Sequence, residues 1–298
     1  MKSGQALVVV LLILAVTATI GLSVASRSVT EVNLSSVQDD SSQALSAAES
    51  GIEAVLKDPS LSVAGPTPLP TVVGGGNSTY TIANKTAVGN STSYVFPGTY
   101  VSGEYATLFL QTISPDGTRT DSNYWLSGDF HVCFGKTGST VKPSLEATLY
   151  YRDSTATPTP IWLVKRMGYN PGDGSRPSTN GFTGVVAVPV FNDINCSGYQ
   201  TDARINIAEL TTAQMSMNPC AQIPCIPYFM RFRSLYNDSS ADATPIKVYS
   251  TGGTFQPQGQ RYEVLGASGQ TARRVVVTQM YPVPPGILDN VLFSGGSL

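Results

Sequence analysis

The stretch that decides the fold runs from Lys2 to Leu56, opening KSGQALVVVLLILAVTATIGLSVASRSV (Lys2–Val29) and continuing through SSQALSAAESGIEAVL (Ser41–Leu56). From Ala6 to Ser26 it holds no charged residue. About 20 apolar residues in helical form cross a hydrocarbon layer of about 30 Å, so this run predicts a membrane span. Beyond Arg27 no proline occurs until Pro59, and Val37, Ser41, Ala44, Ala48, Ile52 and Val55 recur every three or four residues. That spacing predicts one continuous helix that leaves the bilayer and carries a stripe for a partner surface.

The rest of the chain reads as strands. The chain's 28 glycines, all but three of them beyond Leu56, and its 20 prolines, with many Ser, Thr and Asn, punctuate short runs rich in Val, Ile, Tyr and Phe. The expected class is therefore α+β: a long N-terminal transmembrane and stalk helix followed by a β-rich, disulfide-braced exterior head. The expected organisation is a short leader at 1–4, the helix at 5–57, a Pro/Gly linker at 58–76, and a head at 77–298 with room for two subdomains. With 13% charged residues and a net charge of −2, the chain has no basic field to hold a polynucleotide, so a nucleic-acid partner is not expected.

Cys133, Cys196, Cys220 and Cys225 all follow the span. Lys2 is the only charge before it, which favours a cytoplasmic N-terminus and an exterior head, although Arg27 on the far flank weakens the bias. An oxidising exterior preserves disulfides. Four cysteines allow three connectivities; the short Cys220–Cys225 loop is the easiest to close, which would leave Cys133 with Cys196. A cleaved secretory signal is the alternative reading of the N-terminus. The apolar run exceeds the usual ~7–15 residues of such signals and feeds straight into a helical pattern.

Within this stretch the leader Lys2-Ser3-Gly4, the uninterrupted QALVVVLLILAVTATIGL and the AAESGIE box at Ala47–Glu53 stand together. In these features the chain resembles type IV pilin-like proteins, most closely the PilX-type minor pilins, over about its first 57 residues. The resemblance implies cleavage by a prepilin peptidase after Gly4, leaving Gln5 as the new N-terminus, and residence in inner-membrane lipid before assembly. It also implies docking with other pilin subunits through the helix. Many pilins carry a Glu at the fifth mature position, where this chain has Val9. The K-type pseudopilins of type II secretion resemble it in lacking that carboxylate, which suits a priming or tip subunit better than the filament shaft. A buried carboxylate in lipid is costly unless paired, and here both cost and pairing are gone. Small residues Ala15, Thr19 and Gly21 would allow close helix approach in the membrane. Ala44, Ala48 and Ile52 would extend that contact outside it. The competing expectation is a single-pass membrane-anchored adhesin or envelope scaffold that joins no filament.

Along the head, strands are expected at 77–101, Glu104–Ile113, Leu145–Arg152, Ile161–Met167, Gly184–Phe191, Ala203–Ile207, Tyr228–Leu235 and Ile246–Tyr249, and Tyr124–Gly135 reads as a strand pair with a bend at Ser127-Gly128-Asp129. Gln260–Ala267 and Arg273–Tyr281 read as a hairpin turning at Ser268-Gly269, and a short helical turn is expected between Asn206 and Ala213. A turn is expected at Pro115-Asp116-Gly117 and a long polar loop over Asn170–Gly181. Chemistry is sparse. The lone His131, two residues before Cys133, lacks a clear zinc spacing with the other cysteines. Asp116, Asp121, Asn123 and Asp173 fit no calcium loop and are explained better as turn formers. With one histidine and no Gly-x-Ser-x-Gly elbow there is no triad to place. No catalytic residue, metal or cofactor is expected, and the chain reads as a structural protein.

Overall fold

The computed structural model describes residues 3–61, 67–68, 78–114, 119–124, 130–153, 161–172, 174–176, 180–184, 186–187, 194–205, 207, 225–283 and 285–286. The chain forms two compact units, one of Met1–Lys85 with Arg261–Val277 and one of Thr86–Gln260 with Thr278–Leu298. In chain order the elements begin with α1 (Ser3–Lys57), β1 (Thr67–Pro68), β2 (Thr79–Val88), β3 (Ser93–Val95), β4 (Tyr105–Phe109), β5 (Gln111–Ile113) and β6 (Arg119–Tyr124). They continue with β7 (Phe130–Lys136), β8 (Ser144–Asp153), β9 (Ile161–Asn170), β10 (Thr183–Gly184), β11 (Val186–Ala187) and β12 (Tyr199–Ile205). The last are β13 (Cys225–Leu235), β14 (Ile246–Ser250), β15 (Gly259–Ser268) and β16 (Thr271–Met280).

In the first unit, the 55 residues of α1 make a rod of about 80 Å at 1.5 Å per residue. It ends where Pro59 cannot continue the ladder: Asp58 N–H still donates to Ala54 O at 2.9 Å, and the Asp58 carboxylate accepts the Ser60 N–H at 3.0 Å. The C-terminal half of the helix lies on a sheet ordered β1-β2-β15-β16. Ile52 and Val55 of the helix pack with Ile82, Tyr262 and Val264 of the strands. Part of the expected linker joins this sheet, because Thr67 and Pro68 pair antiparallel with Tyr80 and Thr79. The expected hairpin forms as β15 and β16, with Gly269 at φ +54° supplying the left-handed residue that its turn requires.

The second unit is a β-sandwich. Its sheets are ordered β10-β9-β8-β13-β4 and β11-β12-β7-β14-β3 and share one core. Leu108, Leu145, Leu149, Met230 and Phe232 face inward from the first sheet, and Phe130, Val132, Phe134, Ile205 and Val248 from the second. Alternate residues of each strand point to one face, so this core follows from the period-two pattern. The long strand β13 carries Pro227, which cannot donate to the ladder, and the register with β8 shifts between Pro227 and Phe229.

Glu104–Ile113 is divided at Leu110 into β4 and β5, which belong to different sheets; Phe109 still pairs with Phe229 of β13 and Leu110 N–H donates to Tyr228 O at 2.9 Å, so the break falls opposite the register shift of β13 at Pro227–Phe229, and a side chain holds the outward edge of Phe109. The Gln258 amide accepts from Phe109 N at 2.7 Å and donates to Phe109 O at 2.9 Å. Tyr124–Gly135 is not a hairpin: β6 pairs with β5, whereas β7 pairs with β12 and β14. The turn at Pro115-Asp116-Gly117 and all of the 206–213 turn except Ile207 lie outside the described residues, as do Asp173, Cys220 and residues 287–298.

Candidate assembly interface

The site the sequence singles out is the helix, and its two halves differ in what covers them. From Leu7 onward the helix is long and apolar enough to cross a membrane, and none of that apolar window is buried. A signal sequence passes the same test of length and composition. Val9 stands 57% exposed, with no carboxylate near it in sequence until Glu31. Ala15, Thr19 and Gly21 are all exposed, and a side chain added at Gly21 would meet nothing within 4 Å. Two threonine hydroxyls in this half bond back to the helix: Thr17 Oγ1 donates to Ile13 O at 3.0 Å and Thr19 Oγ1 to Val16 O at 2.8 Å. Back-bonding of this kind lets a threonine sit in lipid without leaving its donor unmet.

The other half is covered by its own chain. Ala44, Ala47, Ala48 and Val55 are fully buried and Ile52 is 7% exposed. Their neighbour is the sheet of the first unit: at Gly266 a Cβ would collide with Ala44 O and stand 2.5 Å from Ala48 N. At Gly51 a Cβ would stand 2.7 Å from both Tyr80 Cδ2 and Val264 Cγ1. Small residues on both partners therefore set a close helix–strand approach. Polar groups fasten the upper end, where Ser268 Oγ donates to Gln43 Oε1 at 3.0 Å and Arg273 Nε to Ser41 Oγ at 2.8 Å. The stripe expected to serve a neighbouring subunit at Ala44, Ala48 and Ile52 is thus occupied by β15 and its neighbours. The helical period was legible, but periodicity names a buried face and not its occupant. Gly266, which permits the approach, carried no signal beyond being a glycine inside a strand pattern.

The described cysteines are committed to disulfides. Cys133 of β7 and Cys196 are joined with Cα atoms 5.5 Å apart, closing a separation of 63 residues, and Cys225 is also disulfide-bonded. Oxidation removes the thiolates that a zinc site would need. His131 is engaged otherwise: its Nδ1 lies 2.9 Å from Asp202 Oδ1, and its ring stacks on Tyr249 at 4.6 Å. The Tyr249 hydroxyl donates to the same carboxylate at 3.0 Å, so Asp202 anchors a polar cluster on that sheet. Among the described residues no group of three or more His, Cys, Asp and Glu is placed to hold a metal ion.

Comparison with known proteins adds one finding. Residues 3–53, 51 of the 298, match the family model described as PilX N-terminal. No curated protein and no solved structure matches the chain. The match covers the exposed apolar half of α1 and reaches into the half that the sheet covers. Over residues 3–53 the chain is similar to the PilX N-terminal family, whose members are minor-pilin-like, and the similarity is confined to that segment.

Proposed function

We propose that the chain is a minor subunit of a type IV pilus or pseudopilus, held at a priming or tip position with its head displayed outside the cell. The observation that carries this reading is the exposed apolar half of α1 within the segment of PilX type. A prepilin peptidase cuts after Gly4, Gln5 becomes the mature N-terminus, and the apolar half waits in the inner membrane. It then leaves lipid to pack against helices of other pilin subunits, with Ala15, Thr19 and Gly21 allowing close approach. Helix association in lipid gains little from the hydrophobic effect, so it depends on such small residues and on van der Waals fit.

Val9 sets the position in the filament. Without a carboxylate there, the subunit cannot neutralise the N-terminal amine of a neighbour, a contact that each shaft subunit repeats. A subunit that begins or caps the filament escapes that requirement. Val9 also suits a plain membrane anchor that joins no filament, the second reading. Intact mass of the mature protein separates them: a chain beginning at Gln5 supports the pilin reading, and retention of Met1 supports the anchor. The substitution Gly4→Ala blocks maturation under the first reading; unaltered processing contradicts it.

A further inference from the structure

In the sandwich unit β13 ends at Leu235, and the residue that follows is strained. Tyr236 has φ +65°, alone among the described non-glycine residues in the left-handed region, and its side chain stands 46% exposed. Crowding at Cβ makes that conformation costly for an aromatic residue, whereas glycine or asparagine would hold it at less cost. The turn is built by its neighbour: Asn237, which is buried, donates to Tyr100 O at 2.8 Å and accepts from Ser234 Oγ at 2.8 Å. Tyr236 thus carries strain for a ring that the fold leaves largely open, and strain of this kind collects at sites of recognition.

The ring meets Arg176, whose guanidinium carbon lies 4.0 Å from its centroid. Arg176 Nε and Nη2 both donate to Lys142 O, at 3.1 and 2.9 Å. Stacking and the forked bond hold the guanidinium in one place, so little rotamer freedom remains to be lost on binding. Among the described residues Nη1 makes no hydrogen bond and no carboxylate pairs with this cation. A half-buried guanidinium, fixed and without a counter-ion, leaves a strong donor edge open to an anion.

We propose that Arg176 and Tyr236 anchor an acidic segment of a partner polypeptide, with the guanidinium taking one Asp or Glu carboxylate and the exposed ring packing beside it. One fixed positive charge matches one carboxylate, whereas a phosphate dianion would be left half neutralised. Arginine and tyrosine are also the residue types that carry much of the binding energy at protein interfaces. Both residues lie in the sandwich unit, so this proposal does not depend on how the helix assembles.

The test uses the full chain in detergent micelles, with the Arg176 Nε–H and Tyr236 ring resonances followed by NMR. Hexaglutamate, hexaserine, glucuronate and inorganic phosphate are titrated in turn. Hexaglutamate is expected to shift both resonances saturably while the other three leave them in place. Arg176→Lys keeps the charge but loses the fork and the stack, and is expected to weaken binding about tenfold, read at the Tyr236 ring. Tyr236→Asn relieves the backbone and is expected to keep or raise the thermal midpoint while weakening binding about fivefold, read at Arg176 Nε–H. Arg274→Lys in the other unit, where Arg274 already pairs with Glu263, leaves affinity unchanged. No saturable shift, an equal response to hexaserine, glucuronate or phosphate, undiminished affinity in Arg176→Lys, or a lowered midpoint in Tyr236→Asn overturns the proposal.

Discussion

The substitution Gly266→Ala tests the helix–sheet junction of the first unit directly. A Cβ there would lie 2.5 Å from Ala48 N and would collide with Ala44 O, both backbone atoms that cannot swing aside. Atoms attract best at about 3.5–4.0 Å, so the helix must retreat by about 1 Å. A gap of that size forfeits a quarter to a half of each contact. Burying Ile52 and Val55 contributes about 1.5–3 kcal/mol each, so the loss is about 1–3 kcal/mol, the range measured for overpacked cores. Alanine's better strand propensity returns about 0.5–1 kcal/mol. A net cost of about 1.5 kcal/mol corresponds to roughly tenfold faster amide exchange over residues 48–58, read by mass spectrometry in detergent. Gly21→Ala, which meets nothing within 4 Å, serves as the control and leaves exchange unchanged or slower. Equal protection of residues 48–58 in wild type and Gly266→Ala would refute the close approach on which this unit is built.

Other perturbations probe the sandwich. Replacing Cys133 and Cys196 by alanine frees a 63-residue separation, and chain entropy puts the loss near 4 kcal/mol, measurable by chemical unfolding of oxidised wild type and the variant. Gln258→Ala strips Phe109 of both backbone partners inside the protein and should cost about 2–4 kcal/mol by the same assay, with Gln258→Glu failing to rescue because it supplies no donor. Arg231 is buried with its guanidinium 4.7 Å from the Tyr105 ring centroid and 5.4 Å from that of Phe229; Arg231→Lys loses the flat stacking and should lower the thermal midpoint. Burial raises the Tyr94 phenol to about 12 in the folded state, so its contribution is intact below pH 10. Between about 10 and 12 the unfolded chain releases the proton first, so stability falls as pH rises, and Tyr94→Phe should make that fall shallower without abolishing it, because burial also raises Tyr100, Tyr169, Tyr199 and Tyr281.

The C-terminal end of the helix was legible because three signals agree: an uncharged run, small or apolar residues every three or four positions, and Pro59 as the stop; its start at Ser3 lies inside the expected leader. The occupant of the covered face was not legible, because Ala44, Ala48 and Ile52 look the same whether they meet another subunit or a strand more than 200 residues later. The hairpin at Ser268-Gly269 was read from turn chemistry alone. Glu104–Ile113 was read as one strand because local propensity is continuous across Leu110; the break falls opposite the register shift at Pro227–Phe229 in β13, a partner far away in sequence. In β13 the alternation around Arg231 looked poor for a related reason. Both faces of that strand are covered, with Met230 and Phe232 in the main core and Phe229 in a second cluster. A strand buried on both sides loses the polar half of its pattern.

The central claim is that the apolar half of α1 leaves lipid to join other pilin helices while the covered half stays with its own sheet. Photo-cross-linking at Ala15 and at the exposed Gln43, beside the sheet, each replaced in turn by benzoylphenylalanine and carried in cells that make filaments, asks this directly. The account predicts that Ala15 cross-links to other pilin subunits in purified filaments and that Gln43 cross-links mainly within its own chain. Filaments that never contain the chain, or intersubunit products at Gln43 with none at Ala15, would contradict it.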